Sequence, residues 1–310
     1  MLIQENEEIY LSSCPICDSS FNQWREKKNT DKIFKIVRCD GCNFAFINPR
    51  PTQDYLINFY TTSEDYARTK NLFTNEITTA AEVIKDEEDY PNATKDAKRI
   101  VKNIKKYTTS KSVKFLDIGS GYGFFSKEAL FQKFVVTSIE LNSKDRKITE
   151  DVTGLKPSSV SFENFEDQVN SYSAILMSQI FEHALDIDLW TKKAHKLLSE
   201  GGILAIALPN FNSFFRYWLQ ENDPYIIPPE HLNFFSPSNL SLLLEKHGFE
   251  IIKVEEVTRI DPRVIVKKLP LLRLLGRKSI VIGLTIIFKI FDFFKLGMMI
   301  NIYARKIKSS

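Results

Sequence analysis

The sequence predicts an α/β fold, a parallel sheet with crossover helices, behind a four-cysteine module at the N-terminus. Three observations predict it. From Val113 onward, apolar runs of strand length alternate with amphipathic segments of helix length. A glycine-rich turn, Gly119-Ser120-Gly121-Tyr122-Gly123, follows the first of those runs. All four cysteines lie within the first 42 residues, as two C-x-x-C pairs.

A chain of 310 residues can bury one full-size core and a small accessory module. With 43% apolar and 26% charged residues it has the composition of a soluble globular protein. A net charge of +3 is too small to argue for nucleic acid. Met1 to Tyr10 is acidic and polar without an apolar centre, so no signal peptide is expected. Clustered cysteines point to one local site in a reducing, cytoplasmic compartment.

Taken in order, residues 1–50 form the cysteine module and end at Asn48-Pro49-Arg50-Pro51, where the prolines interrupt any regular element. Residues 51–110, polar and aromatic and then rich in Lys, Ala and Glu, read as a helical connector that could cover a cofactor. Residues 111–258 form the core, with strands expected near 113–118, 134–139, 173–178, 203–208 and 249–257 and a short one near 159–162. Helices are expected over 123–132, 143–151, 187–198 and 237–247, with Gly201-Gly202 and Gly248 turning the chain back into strands. Residues 259–297 read as a basic, apolar helical insertion and 298–310 as a last strand and tail.

Cys14-Pro15-Ile16-Cys17 and Cys39-Asp40-Gly41-Cys42 are separated by 21 residues. Each pair presents two thiolates from one tight turn, and two turns complete a tetrahedron around Zn²⁺. Gly41 is expected at positive φ, letting backbone amides approach the sulfurs. Four filled positions make such a metal structural. Redox disulfides or free thiols are the alternative.

Val113-Lys114-Phe115-Leu116-Asp117-Ile118 runs into Gly119, Gly121 and Gly123, and a helix opens at once. Glycines there let the backbone approach a ligand at a helix N-terminus. The next strand ends in Ile139-Glu140, where a carboxylate can take both ribose hydroxyls. Dinucleotide sites use G-x-G-x-x-G; here the pattern is G-x-G-x-G, with Phe124 at the third dinucleotide position. Asp117 suits a cationic methionine moiety, which favours S-adenosylmethionine.

Residues 113–258 resemble the class I S-adenosylmethionine-dependent methyltransferases, through the Leu116 to Gly123 loop, Ser178-Gln179-Ile180-Phe181-Glu182-His183 and Gly201-Gly202-Ile203-Leu204 to Asn210. Pro229-Glu230-His231-Leu232-Asn233-Phe234-Phe235-Ser236, Leu244 to Phe249, the paired knuckles and the Phe59-Tyr60 to Tyr66 segment resemble a bacterial subgroup often found among enzymes of surface polysaccharide and natural-product assembly. The resemblance implies a Rossmann-like, seven-stranded sheet with an N-terminal zinc ribbon. It also implies adenine contacts from the Glu163-Asn164-Phe165-Glu166-Asp167 stretch, Asn164 and Phe165 being the candidates, and cofactor contacts from Tyr60 and Tyr66.

Deprotonating a hydroxyl acceptor suits a histidine. His231, in a Pro-rich loop beside Glu230, is the first candidate base; His183, at the C-terminal edge of the fourth strand, is the second. His195 and His247 read as solvated helix residues. In the C-terminal stretch, Lys267, Lys268, Arg273, Arg277, Lys278, Lys289 and Lys295 punctuate Leu, Ile and Phe, without a run long enough to span a bilayer. Residues 264–296 therefore fit a peripheral contact at the inner membrane face, or a lid or dimer helix. The expected function is methyl transfer to a small-molecule or sugar-conjugate acceptor. The rivals are an RNA methyltransferase, disfavoured by the low charge and by the lack of an N-P-P-Y/F motif, and a non-catalytic cofactor-binding module.

Overall fold

A computed structural model describes residues 2–5, 8–29, 32–62, 79–89, 91–258 and 277–307. Strands β1 (Leu2–Glu5) and β2 (Glu8–Leu11) pair antiparallel, and β2 takes β6 (Arg50–Pro51) on its other side. The cysteine knuckles flank a second sheet of β3 (Phe21–Asn29), β4 (Lys32–Cys39) and β5 (Ala45–Ile47). Its fourth strand comes from far along the chain: β11 (Asn233–Phe234) lies antiparallel on β5, with Asn233 opposite Phe46 and Phe234 opposite Ala45. The cysteine module and the core thus share one sheet.

Helices α1 (Gln53–Thr62), α2 (Ala80–Asp89) and α3 (Ala93–Tyr107) follow. On α3, Ala97, Ile100, Val101 and Ile104 form a buried stripe at helical spacing that lies on the central sheet. That sheet is built from β7 (Lys114–Ile118), β8 (Val135–Ile139), β9 (Tyr172–Ser178), β10 (Leu198–Pro209), β12 (Phe249–Val257) and β13 (Met299–Lys306). Its order is β12-β13-β10-β9-β7-β8, with β7, β8, β9 and β10 parallel and β13 antiparallel to both neighbours. Strand β9 is central and buried from Tyr172 to Met177, apolar but for Ser173, because helices cover both its faces. The crossovers are α4 (Phe124–Phe131), α5 (Ser143–Thr153) and α6 (Ile187–Leu197); α7 (Phe214–Leu219), α8 (Pro237–Lys246) and α9 (Arg277–Phe293) complete the helices.

The expected sheet had seven strands; six form among the described residues, and the seventh position is held by Ser158 alone. Ser158 N–H donates to Ser138 O at 2.8 Å and Ser158 O accepts from Glu140 N–H at 3.0 Å. Pro157, with no N–H, cannot extend the ladder backward. Forward, the chain turns, Asn164 N–H reaching Ser161 O, so the strand expected near 159–162 does not form. Of the basic apolar insertion, residues 259–276 lie outside the described residues.

Rings carry the core across the module boundary. Phe46, Phe44, Phe235 and Phe181 follow one another at centroid spacings of 5.4, 4.9 and 5.3 Å. Each such pair adds about 1 kcal/mol beyond its buried area. Beside them Arg50, 2% exposed, donates to Leu185 O at 2.6 Å and to Asn233 Oδ1 at 2.8 Å. Burial lowers its pKa to about 10, so it remains a cation at neutral pH. Arg50→Met should cost about 3 kcal/mol, because two charge-assisted bonds vanish and their acceptors stay buried. Urea denaturation checks this; a loss below about 1 kcal/mol would mean the contact does not couple the module to the core.

Candidate functional site

The glycine turn sits at the C-terminal end of β7. Gly119, Gly121 and Gly123 have φ of 70°, 53° and 80°, and Gly123 caps α4 in the left-handed region. A Cβ on Gly123 would press on Thr149 and Thr153, and one on Gly119 on Ile180, so those two glycines serve packing. A Cβ on Gly121 would meet nothing within 4 Å. The open space there is the approach a bound ligand would use. Ser120 Oγ, buried in the same turn, has no partner among the described residues.

Two acids flank the turn. Glu140 accepts from Gly121 N–H at 2.9 Å and from Asn142 N–H at 2.9 Å, which fixes the carboxylate against the turn with lone pairs to spare for a diol. Asp117 is 1% exposed and accepts from Ser126 Oγ at 2.6 Å. Burial pushes its pKa up to about 6, and the nearby Glu140 charge adds to the rise. A desolvated carboxyl of this kind favours a cation beside it. Turn, orphaned hydroxyl and acids together fit S-adenosylmethionine.

Of the stretch expected at the adenine, Glu163 accepts from Trp190 Nε1 at 2.8 Å and Asp167 from the Tyr172 hydroxyl at 2.5 Å. Those two acids are engaged within the protein. Asn164 is exposed and Phe165 buried, in a turn next to Ser158 and the end of β8. Tyr66 and the side chain of Tyr60 lie outside the described residues; the Tyr60 backbone is part of α1.

Ile180, which packs on Gly119, leads into a short turn of helix, Phe181–His183. There the structure brings both candidate bases together: the His183 and His231 rings lie 4.8 Å apart, edge to face. His231 Nδ1 is 2.8 Å from Tyr225 O, and His183 Nδ1 is 2.7 Å from Glu230 O. A carbonyl can only accept, so each Nδ1 carries the proton, and the His231 lone pair sits on Nε2. Burial first, and then repulsion between the two rings should both protonate, drives the His231 pKa well below 6.5, and burial lowers His183 to about 4. Both rings are neutral at physiological pH. His195 and His247 lie elsewhere and are half-buried rather than solvated: His195 packs on Phe249, and His247 Nε2 is 3.0 Å from Asp188.

Sequence reasoning missed three members of this pocket. Glu182 is 1% exposed with neither carboxyl oxygen partnered among the described residues, and burial raises its pKa to about 8. It is a neutral acid at pH 7. Arg216, on α7, places its guanidinium over the rings of Phe211 and Tyr217, at 4.5 Å from each centroid, and donates from Nε to Phe211 O. With Tyr225, Glu182 and His231, Arg216 lines a narrow cavity of about 20 Å³. The one available signal was a lone cation in the aromatic run Phe214 to Trp218. Glu182, His183 and His231 present donor atoms within 4.8 Å of one another, a spacing that could also admit a metal ion.

At the cysteine module, Cys14 and Cys42 Sγ are 3.6 Å apart and Cys17 and Cys39 Sγ 3.4 Å apart. A tetrahedron with metal–sulfur bonds of about 2.3 Å has edges near 3.8 Å, so the four thiols are almost in place for one. Cys42 beside it lowers the Cys14 pKa to about 5. The positive φ expected at Gly41 falls instead on Asp18 and Asn43, just after each second cysteine. Gly41 is required for space: a Cβ there would collide with Ser19 and lie 3.3 Å from Cys17 Sγ.

Residues 88–254 match a family described as "Methyltransferase domain". A curated relative from Pelagibacter ubique, a ubiquinone biosynthesis O-methyltransferase, is 26% identical over 163 residues, spanning 46% of this chain and 68% of the relative. Among solved structures, the complex between the Haloferax volcanii Trm112 methyltransferase activator and a methyltransferase aligns at a TM-score of 0.50 and 12% identity, over 73% of this chain and 93% of that one. Haemonchus contortus phosphoethanolamine N-methyltransferase 2, in complex with S-adenosylmethionine, aligns at 0.49 and 15% identity, over 92% and 71%. At such identity the Haloferax match speaks for the fold alone.

Gly121→Val fills the open space over the turn, and Glu140→Ala removes a charge-assisted ribose contact worth about 2 kcal/mol. Each should weaken S-adenosylmethionine at least tenfold in calorimetry, and unchanged affinity in both would overturn this pocket.

Proposed function

The chain belongs to the methyltransferase-domain family and is an S-adenosylmethionine-dependent methyltransferase; from that premise we propose that its acceptor is a small molecule or sugar conjugate, methylated in the pocket beneath His231. The observation that carries this reading is a buried, neutral, tautomer-fixed histidine in a pocket it shares with Glu182, two residues along the chain from the Ile180 that packs on Gly119. Bound in the turn, S-adenosylmethionine supplies a methyl group already activated by its sulfonium. The protein's part is then to place the acceptor and take its proton.

His231 Nε2 receives the acceptor proton, while Tyr225 O holds the ring in orientation. The imidazolium formed would be costly in so dry a site, so its proton must pass on to solvent or product before the next turnover. Arg216, its charge partly offset by Asp223 in the same lining, is the cation we assign to an acidic group on the acceptor such as that of a sugar diphosphate or lipid-linked glycan, in keeping with a role in surface polysaccharide assembly. The Pelagibacter relative's oxygen acceptor would require the same proton removal. Mass spectrometry after incubating the enzyme with labelled cofactor and cell extract tests the acceptor class; label found in RNA, and removed by ribonuclease, would refute it.

His231→Gln should lower kcat by about 10²-fold or more while leaving cofactor affinity within about twofold. Its pKa is depressed, so the base form persists as pH falls and is lost only well below pH 6.5. The acid limb of kcat/KM should lie there. A limb at or above 6.5, or full activity in His231→Gln with loss in His183→Gln, would reassign the base.

We also infer that the four thiols hold one structural Zn²⁺, since their spacing leaves no open ligand position. Metal analysis should find about one zinc per chain. Cys39→Ser should lower the thermal midpoint by several degrees with little change in cofactor affinity, because none of the cysteines belongs to the turn or to its flanking acids. Fully loaded cofactor sites with no metal in intact, stable protein would refute it.

A further inference from the structure

We propose that α7 and α9 together form a docking face for an anionic membrane surface. Along the end of α9, Ile286, Ile287, Ile290, Phe293 and Phe294 follow the i, i+1, i+4, i+7, i+8 spacing of a single helix face. That face points to solvent: the five side chains are 47–81% exposed. On α7, Tyr217 and Trp218 are 66% and 76% exposed. The two helices are joined by Phe214 stacked on Phe291 at 4.5 Å, so their exposed side chains belong to one patch. An apolar patch of this kind marks an interaction surface.

Charge selects the occupant. Lys289 and Lys295 are exposed at the patch, and in sequence α9 opens on Arg277-Lys278. The nearby acids are engaged inward, Asp292 with Thr258 Oγ1 at 2.7 Å and Glu256 with Asn210 Nδ2 at 2.9 Å. A two-fold copy packed on α9 would set lysine against lysine, while the described acids nearby, Asp292 and Glu256, are turned inward, Glu256 offsetting part of the Lys295 charge. Anionic headgroups answer both lysines, whose aliphatic stems can lie along the apolar face. Exposed Trp and Tyr suit the headgroup level. At 17 residues α9 is about 26 Å long, and no helix among the described residues is long and apolar enough to cross a membrane. The fitting geometry is a helix lying in the interface.

The patch adjoins the acceptor pocket. Helix α7 carries Arg216 into the pocket while Trp218 faces out, and Phe214 N–H donates to Leu296 O at 3.1 Å beside the end of α9. A headgroup-borne acceptor could thus enter without leaving the surface. This last step rests on the acceptor reading above; the docking itself does not.

Co-sedimentation of the full chain with phosphatidylcholine vesicles, with and without phosphatidylglycerol, tests the docking. The protein should pellet with anionic vesicles, partition less as salt rises, and show a blue shift of Trp218 emission that Trp218→Phe removes. Lys289→Gln with Lys295→Gln should lower partitioning onto anionic vesicles about 30-fold, at about 1 kcal/mol per charge. Phe293→Ser with Phe294→Ser should abolish it while cofactor affinity, read by calorimetry, stays unchanged. Wild-type protein left in the supernatant with anionic vesicles at low salt overturns the proposal. So does a dimer in light scattering that the Phe293 and Phe294 changes convert to monomer, since the face would then belong to a second copy. A loss of cofactor binding in Gly121→Val leaves vesicle binding untouched, which separates this proposal from the catalytic one.

Discussion

The arrangement of the candidate active site depends on two residues of backbone pairing, Asn233–Phe234 against Phe46 and Ala45. A pair so short is not stable alone. Side chains on either side reinforce it: Asn233 Nδ2 donates to Ala184 O at 2.7 Å, its Oδ1 takes the Arg50 guanidinium, and Leu232 bridges the two halves, its N–H to Glu182 O and its O from Ile47 N–H. His231 therefore follows from a sheet that begins in the cysteine module and from a turn that ends β9. Neither half of the chain can set its position alone.

Desolvation explains the electrostatics of both sites. Asp117, Glu182, His183 and His231 are all driven toward their neutral forms by burial, acids upward and histidines downward. At pH 7 Glu182 and both histidines are neutral, while Asp117, raised only to about 6, is largely ionised. Such a site favours a cationic cofactor next to Asp117, and it keeps a proton acceptor, His231, beside a proton holder, Glu182. The opposed pKa shifts of that pair are the physical signature of an acid and a base in one environment. The exposed Lys289 and Lys295 stand outside this regime, where charge remains fully available to solvent or to a surface.

What was legible in the sequence is what short spacing encodes. The strand–turn–helix of Phe115 to Phe131, Glu140 at the next strand end and the two cysteine pairs all lie within local windows, and the structure places them as expected. Strand Phe249–Val257 matches its expected limits because Gly248, at φ 79°, ends the preceding helix abruptly. Illegible were contacts between distant segments: the β5–β11 pair leaves no periodic trace in two residues, and the burial of Glu182 is decided by the loop folded over it. The edge strand failed for a local reason that could have been read, since Pro157 immediately precedes Ser158, the one residue of residues 157–162 that pairs with β8. Gly41 was read correctly as necessary and wrongly as conformational. Its constraint comes from Ser19 and Cys17, across the knuckle.

The same long-range pairing gives a reason for a metal-binding module on an enzyme whose metal, as proposed, takes no part in the chemistry. Strand β3 buries no residue fully, and the apolar cluster under this sheet draws Phe211, Ile226, Leu232 and Phe234 from the core. A module with so little interior of its own cannot hold β5 in register by burial alone. Four ligands that exist together only in the folded knuckles make metal binding a contribution to folding free energy. Through Phe44 on Phe235, and through β5 on β11, that contribution reaches the loop that carries His231. The metal would thus act on catalysis through geometry: its loss leaves the cofactor turn, built wholly within the central sheet, as it was, while the base loses the strand that aims it.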